Sequence, residues 1–253
     1  MKNSIKFFDY NLPSNLIAEN PRSKREQAKL MIYGQKLDSL NHSIFSNLDE
    51  YLTKGDLIIL NDTRVLPGRL FLKKESGGTV EILFHKLINQ YLFVCIFKSS
   101  RKVVMNSKLF FDDDNFFVVD DIENNFITLS SKNDAMDIFA KYGEVPLPKY
   151  IKRKTNSKDI ERYQTVYAKH TGSVAAPTAG LHFTEEILSK LKAKGVVIDY
   201  CTLHVTYNTF KPITVENYND HQIGSEICHI NESLISKIKL TKSQNNNVYD
   251  VGT

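Results

Sequence analysis

Short apolar runs separated by polar turns dominate residues 69–131. Each run has the length of a strand, and Ser76-Gly77-Gly78 between the first two is typical of a hairpin turn. The runs are RLFLKKE, TVEILFHK, YLFVCIF, KLFF, FFVVD and FITLS. Because no helical pattern lies between them, the six runs predict a small antiparallel β-barrel.

Helical spacing of apolar residues occurs on both sides of this region. Residues 42–54 place their apolar positions on one helical face, and Gly55 suits the end of the helix that they predict. Residues 133–143 predict a second helix, with Asn133 as its N-cap and Gly143 just after its last turn.

The C-terminal half combines further helices with strands. Residues 183–195 predict a helix with Thr184 as N-cap and Gly195 at its end, and residues 160–168 are compatible with another. The segments DLIILND, VVIDYCTLHV and VYDVG predict strands. A helix followed by a strand indicates a mixed α/β domain around the barrel.

The composition is that of an ordinary globular protein. Of the 253 residues, 42% are hydrophobic and 25% charged, and no apolar run approaches the length of a bilayer span. The N-terminus lacks the apolar core of a signal peptide, so we predict a cytoplasmic protein without a membrane partner. The net charge of +4 permits an RNA partner without requiring one.

Cysteine and histidine spacing does not indicate a metal centre. Cys95, Cys201 and Cys228 are widely spaced, which fits reduced structural thiols. The seven histidines show no HxxxH spacing and no pairing with cysteine, so we predict no metal site.

The segment GSVAAPTAGLHFT, residues 172–184, is the most site-like stretch of the chain. Eight of its 13 residues are Gly, Ala, Ser or Thr, which let a backbone approach a ligand closely and supply hydroxyl and N–H donors. The predicted helix behind it adds unpaired N–H groups. A tight loop packed under that helix is the structural alternative.

This segment and six others resemble one enzyme family. GSVAAPTAGLHFTEEILSKLKAKGV, with RYQTVYAKH before it and TLHVTYNTFKPI after it, resembles the S-adenosylmethionine:tRNA ribosyltransferase-isomerase family of queuosine biosynthesis. FDYNLPSNLIAENP, GDLIILNDTRVLPGRL, GGTVEILF and GEVPLPKYIKR match in the same order. Several long blocks in order are far more specific than one short motif.

The resemblance implies an α/β fold with a mixed sheet, interrupted by an inserted small antiparallel β-barrel domain. We expect the α/β domain to comprise residues 1–65 and 146–253, and the barrel residues 66–145. The resemblance also implies that the chain ends inside the family's main domain. We therefore expect a C-terminally truncated homologue of lowered stability.

The implied reaction uses S-adenosylmethionine as a substrate and no cofactor. Its ribosyl part is transferred to the 7-aminomethyl-7-deazaguanine base of a tRNA with a queuosine-type anticodon and becomes the epoxycyclopentanediol of epoxyqueuosine, while adenine and methionine are released. Such chemistry needs a base for the proton beside the sulfonium, stabilisation of developing charge, and a proton donor for adenine. We expect a monomer.

Two histidines are the candidates for acid–base work in this reaction. His182 lies in the small-residue segment just before the predicted helix, and imidazole titrates near neutral pH. Its structural alternative is to orient the loop through a backbone carbonyl. His204 ends the strand VVIDYCTLHV, where it faces either the pocket or solvent.

Small polar side chains are the candidates for substrate binding. The strand DLIILN ends in an amide, a carboxylate, a hydroxyl and a guanidinium, which suit a ribose diol, a carboxylate or a phosphate. The alternative is an Asx-turn with a surface pair between Arg64 and Asp62. The substrate-binding candidates are Asn61, Asp62, Thr63, Arg64, Ser173, Thr178 and Gly180.

A basic stripe around Tyr150 suggests contacts with RNA. Lys149, Lys152 and Arg153 provide the charges that phosphates need, and the tyrosine could stack on a base. A solvated charged face is the commoner explanation of such a stripe. These three residues are our predicted tRNA-binding set.

One turn departs from the family pattern. Where the family has a glycine-containing turn, this chain has Thr206-Tyr207-Asn208. Bulkier residues there are expected to reshape a site if the turn needs positive φ or a close ligand. An inactive remnant and an RNA-binding module without catalysis are therefore alternatives to the enzyme.

Overall fold

The structure is a computed structural model that describes residues 3–34, 38–148 and 150–252. Its strands are β1 (Lys29–Gly34), β2 (Ser39–Ile44), β3 (Leu57–Asn61), β4 (Thr63–Val65), β5 (Arg69–Lys74), β6 (Thr79–Asn89), β7 (Leu92–Ser99), β8 (Lys108–Phe110), β9 (Phe116–Glu123), β10 (Phe126–Ser130), β11 (His170–Ser173), β12 (Val197–His204), β13 (Ile227–His229) and β14 (Val248–Val251). Its α-helices are α1 (Ala135–Tyr142), α2 (Ser157–Arg162), α3 (Glu185–Ala193) and α4 (Glu232–Ser243). Short 3-10 helices cover Ile5–Phe8, Ser14–Leu16, Arg25–Gln27, Phe45–Tyr51, Thr178–His182, Tyr207–Phe210 and Tyr218–Asp220.

Strands β5 to β10 close into an antiparallel barrel in the order β10-β7-β6-β5-β8-β9. All six predicted runs are strands, so the predicted barrel is confirmed. Phe93 and Phe117 meet edge to face inside it, with ring centroids 5.0 Å apart. The predicted hairpin turn joins β5 to β6, and Gly77 supplies its positive φ of 82°.

Helix α1 packs on the barrel through buried Ala135, Ile138 and Phe139. Its N-cap is Asp134, whose side chain accepts a hydrogen bond from the backbone N–H of Met136, so the predicted N-cap at residue 133 was wrong by one position. Asparagine and aspartate are both good N-caps, and the local sequence does not choose between two in succession.

The α/β part is built on the sheet β13-β12-β3-β14. Strands β12, β3 and β14 are parallel and β13 is antiparallel to β12, which makes the sheet mixed as predicted. All five residues of β3 are buried. Because a strand covered on both faces has apolar side chains at every position, the run LIIL reads as continuous rather than alternating.

Helices cover the two faces of the sheet. Leu60 packs in the same core as Leu188 of α3, whereas Leu57 packs with Leu234 of α4. Thr184 caps α3 as predicted, since its hydroxyl accepts from the backbone N–H of Ile187. Helix α4 was not predicted.

Two predicted helices need correction. In place of a helix over residues 42–54, strand β2 runs to Ile44 and a 3-10 helix covers Phe45–Tyr51. The helical spacing of the apolar residues is explained by this short helix, one face of which packs Phe45 against buried residues of α3. Over residues 160–168 only the first three positions are helical, at the end of α2.

Candidate active site at the carboxyl ends of the parallel strands

Parallel strands β3 and β12 end side by side, with Asn61 opposite Cys201. Side chains that follow such strands meet at one edge of the sheet, where α/β proteins bind ligands. A cleft of about 550 Å³ opens here. Its titratable lining side chains include Asp62, Lys169, His170, Cys201, Cys228 and His229.

Asn61 uses its side chain to hold β3 against β12. Its amide donates to the Leu203 carbonyl at 2.9 Å and accepts from the Leu203 N–H at 3.0 Å. The same oxygen accepts from the Thr63 N–H at 3.1 Å, which is the predicted Asx-turn. The Asn61 amide therefore fixes the strand ends that position the neighbouring polar groups.

Asp62 points into the cleft and is 8% exposed. One carboxylate oxygen accepts from the Thr202 hydroxyl at 2.6 Å, and the other lies 3.7 Å from His170 Nε2. Its backbone carbonyl accepts from the N–H groups of Lys169 and His170 at 2.7 and 3.2 Å. Asp62 thus joins three strands and presents a carboxylate beside an exposed imidazole.

Arg64 lies on the exposed side of β4. Its guanidinium donates to the Ala168 carbonyl at 2.5 Å. Among the described residues it makes no ion pair with Asp62, so the surface pair that we considered does not form.

His204 is the last residue of β12, and its ring is held by the buried Thr63 of β4. Its Nδ1 lies 2.8 Å from the Thr63 hydroxyl oxygen, which lies 3.4 Å from the His170 carbonyl. A chain in which Nδ1–H donates to Thr63, and Thr63 donates to the carbonyl, uses both contacts. We infer this tautomer, which leaves the lone pair of His204 on Nε2.

The strand β11 passes directly over the His204 ring. A Cβ at Gly172 would lie 2.7 Å from Cε1 and Nδ1 and 2.9 Å from Nε2. No side chain fits in this space, so the glycine is needed for the imidazole to occupy its position.

The surroundings of His204 favour the neutral imidazole. Partial burial lowers the pKa of His204, and the nearby imidazoles of His229 and His170 lower it further, against the opposing effect of Asp62. The rings of His204 and His229 are 6.2 Å apart in an edge-to-face arrangement. A neutral imidazole can accept a proton near pH 7.

Two thiols line the same cleft. Partial burial raises the pKa of Cys201 to about 11, and Cys228, Asp250 and Asp62 contribute to the rise. The Cys201 thiol is therefore protonated at neutral pH and is a poor nucleophile there.

The small-residue segment has a structural role at its start. The Ser173 side chain is fully buried; it accepts from the Val205 N–H at 2.6 Å and lies 3.3 Å from the Val205 carbonyl oxygen. Thr178 and Gly180 lie in the following 3-10 helix, and a Cβ at Gly180 would collide with the Tyr167 hydroxyl. Of the cleft-lining residues that the structure describes, none belongs to this helix.

His182 ends that 3-10 helix and is separate from the cleft. Its ring lies 5.4 Å from the ring of Phe45, and burial lowers its pKa. Arg25 donates to the neighbouring Leu181 carbonyl at 3.0 Å. Only His204, of the two predicted histidines, contacts the polar groups at the strand ends.

Two of the three predicted tRNA-binding residues, Lys152 and Arg153, lie outside this cleft. Lys149 falls outside the described residues. Lys152 is exposed, whereas Arg153 makes a bidentate ion pair with buried Asp159 at 2.7 and 2.6 Å.

The turn at Thr206-Tyr207-Asn208 does not contain positive φ angles. Thr206 has φ −98° and caps the short helix that follows, with its N–H donating to Glu226 at 2.8 Å. Tyr207 packs against the barrel core. It is absent from the described lining of the cleft, so it does not fill the candidate site.

Sequence reasoning missed His170 and His229. His170 stands two residues before Gly172, and its position beside the small-residue segment was a usable signal. His229 reaches the cleft because β13 pairs with β12, with Thr202 opposite it. That pairing joins segments 20 or more residues apart and leaves no local pattern.

The described residues form neither a metal-binding cluster nor a membrane-spanning helix. Within residues 3–34, 38–148 and 150–252, no three His, Cys, Asp or Glu side chains are placed to hold a metal ion. No helix in these ranges is long and apolar enough to cross a membrane.

The fold and the cleft define an α/β protein that gathers titratable side chains where parallel strands end. The chain belongs to the queuosine biosynthesis protein family, whose model matches residues 5–253. The resemblance inferred from the sequence blocks is therefore confirmed.

Similar proteins cover nearly the whole chain. An S-adenosylmethionine:tRNA ribosyltransferase-isomerase of Thermosipho melanesiensis is 40% identical over 97% of this chain and 73% of its own length. Proteins of the same name from Sulfurihydrogenibium and Staphylococcus saprophyticus are 41% and 39% identical, each over 74% of their length. These names confirm the predicted enzyme family.

A crystal structure of the S-adenosylmethionine tRNA ribosyltransferase of Thermotoga maritima is also similar to this chain. It is 26% identical, with a TM-score of 0.43, and the match covers 96% of this chain and 68% of that one.

Proposed function

We propose that this chain transfers the ribosyl group of S-adenosylmethionine to the 7-aminomethyl-7-deazaguanine base of tRNA and isomerises it to the epoxycyclopentanediol of epoxyqueuosine. Adenine and methionine are the other products. The observation that carries the proposal is the cleft at the ends of β3 and β12, which is lined by Asp62 and His170, with His204 held by Thr63 at the end of β12. It occurs in a chain 40% identical to an enzyme of that name.

His204 is the proposed base. The lone pair that we assign to Nε2 can accept the proton from the carbon beside the sulfonium, and the lowered pKa keeps the ring neutral before the reaction. Thr63 holds the opposite nitrogen and fixes the ring orientation. His182 is the second candidate for acid–base work.

Asp62 and His170 are proposed to serve the departing adenine. His170 Nε2 lies 3.7 Å from the Asp62 carboxylate, and both side chains line the cleft, where they can pass a proton to a leaving base. Lys169 lines the same cleft and suits the methionine carboxylate.

The other substrate-binding candidates divide by their contacts. Arg64, Thr178 and Gly180 lie outside the lining of the cleft, so direct contact with the substrate stays a proposal for these three that requires the bound substrate to reach beyond the cleft. The Asn61 side chain is hydrogen-bonded to the backbone of Leu203 in β12, and the Ser173 side chain to the backbone of Val205, the residue after β12. These bonds support a positioning role for both residues.

We propose that the chain acts as a two-domain monomer in the cytoplasm, where tRNA is found. The division proposed is residues 66–145 for the barrel and residues 1–65 and 146–253 for the α/β domain. It is supported by the antiparallel bridge between Arg69 and Glu144, where the chain enters and leaves the barrel.

The test is a turnover assay with labelled S-adenosylmethionine and tRNA that carries the aminomethyl-deazaguanine base. We expect adenine release and label on tRNA in equal amounts, loss of both in His204→Gln, and normal activity in His42→Gln, whose residue lies exposed on β2. Folded protein that binds this tRNA but releases no adenine would instead be an RNA-binding module.

A further inference from the structure

We propose that the phosphate backbone of the tRNA binds along a basic groove that runs from the barrel to residue 22, an inference that rests on the proposed function. The groove joins two clefts, of about 550 and 330 Å³, which share Arg153 as a lining residue. The first is lined by Arg69 and Phe71 of the barrel and by residues 151–155; the second is lined by residues 20–23 and by Lys158 and Arg162.

Positive charge is concentrated on this groove. Residues 20–26 contain three cations and one carboxylate, and residues 150–162 contain five cations and two carboxylates. The two segments therefore carry a net charge of +5, compared with +4 for the whole chain. A mildly basic protein thus has one strongly basic face, as backbone contacts to RNA require.

Some of these cations build the groove. Arg153 pairs with Asp159 and also donates to the Glu19 carbonyl at 2.8 Å. Arg162 donates to the Arg22 carbonyl at 2.6 Å. These bonds fasten the segment around residues 19–22 to α2, so the groove keeps its shape without a ligand.

Other cations are available for phosphate. Arg22, Lys152, Lys154 and Lys158 are exposed, and in the described part of the chain their side chains make no ion pair. Of the two carboxylates that line the groove, Asp159 is already paired with Arg153. A polyanion would therefore gain new charge contacts along the whole groove.

An aromatic ring at the barrel end favours RNA with unpaired bases. Phe71 is 50% exposed although it lies on a barrel strand, and it lines the cleft that contains Lys152 and Lys154. Tyr150, next to this cleft in sequence, is 55% exposed. Exposed rings beside cations are the means by which proteins stack single-stranded bases, and an anticodon loop provides such bases.

The test measures binding of a fluorescent tRNA transcript by anisotropy over a range of salt concentrations. Lys154→Glu combined with Lys158→Glu should weaken binding about tenfold or more and reduce the slope of log affinity against log salt by about two. Lys239→Glu combined with Lys242→Glu, on the exposed side of α4, makes the same charge change and should leave both quantities close to wild type.

The aromatic contact is tested in the same assay. Phe71→Ala should weaken binding of the tRNA about fivefold but leave an RNA duplex unaffected, whereas Tyr91→Ala, at another exposed barrel position, should change neither. Circular dichroism confirms that each variant is folded.

The outcomes separate this inference from the proposed function. Suppose that the wild type binds and modifies tRNA. If the two double-lysine variants then weaken tRNA binding equally, or if neither weakens it, the proposed groove is wrong and the proposed function still stands. A wild type that neither binds tRNA nor releases adenine would overturn both. A polyglutamate competitor tests the alternative that the groove binds acidic proteins. We expect polyglutamate to bind more weakly than RNA, and equal binding would assign the groove to acidic proteins.

Discussion

Gly172 and His204 are in direct contact, because the backbone of β11 at Gly172 lies against the imidazole of His204. A Cβ at position 172 would come within 2.7 Å of two ring atoms. The contact links the small-residue segment to the end of β12 and restricts the position of the ring whose Nδ1 lies 2.8 Å from the Thr63 hydroxyl oxygen. The segment therefore contributes to the site because Gly172 has no side chain that would displace the His204 ring.

Replacing this glycine should move the histidine without unfolding the protein. In Gly172→Ala the new methyl group displaces the imidazole from Thr63, and we expect adenine release to fall about 100-fold, since a shift of about 1 Å at a reacting group can cost that much. The matched control is Gly78→Ala in the barrel hairpin, where a Cβ meets only the flexible end of Lys74 at 3.7 Å. Equal activity of the two variants would mean that His204 does not act in the reaction.

The charges around His204 should shift its pKa in opposite directions. His229 lowers the pKa of His204, so His229→Gln should raise it and move the acid limb of kcat/KM to higher pH. Asp62 raises that pKa, so Asp62→Asn should lower it and move the limb to lower pH. NMR titration of the His204 ring, assigned with His204→Gln, measures the pKa directly. Shifts of the same sign in both variants would contradict the proposed arrangement.

Replacing Ser173 distinguishes a structural role of this residue from a contact with the substrate. Its hydroxyl accepts from the buried Val205 N–H at 2.6 Å, so Ser173→Ala leaves that donor unpaired and should cost about 1–3 kcal/mol in urea unfolding. Ser236→Ala, on the exposed face of α4, should cost close to nothing. If Ser173 binds S-adenosylmethionine instead, the KM for that substrate rises while the unfolding free energy stays the same.

The barrel could be predicted because each strand carries its own signal. Its runs alternate against one apolar interior, and turn residues mark their ends. The hairpin β1–β2 was missed because neither of its strands has a fully buried position. Helix α4 was missed for a similar reason, since only Leu234 and Thr241 are buried along its length. Where burial is slight, the sequence pattern is weak.

The candidate site was predicted in part. The polar residues after β3 could be found because a buried apolar strand ended there, and His204 because it closes the next parallel strand. Their partners His170 and His229 depend on which strands are neighbours and in what register. Such contacts are set by tertiary structure, and no spacing in the sequence encodes them.

Arg153 was predicted to bind RNA, yet its main contact is within the protein. Its guanidinium makes two hydrogen bonds to Asp159, which is 3% exposed and also accepts from the Asn156 N–H at 2.8 Å as part of the α2 capping box. The pair Lys237–Asp199 is a useful comparison, because it has a single contact of 2.7 Å and a lysine that is 43% exposed.

Breaking the first pair should therefore cost far more than breaking the second. Asp159→Asn leaves Arg153 without its counter-charge and should lower the free energy of unfolding by about 3 kcal/mol, whereas Asp199→Asn should cost less than about 1 kcal/mol. The hydrogen bonds from Arg153 hold the pKa of Asp159 below its usual range, so this stabilisation is complete above the ordinary carboxyl pKa and is lost as the pH falls through the lowered value. Urea unfolding at neutral and acidic pH should show the wild type and Asp159→Asn converging as the pH falls. A difference that is independent of pH would show that the charge pair does not carry the stability.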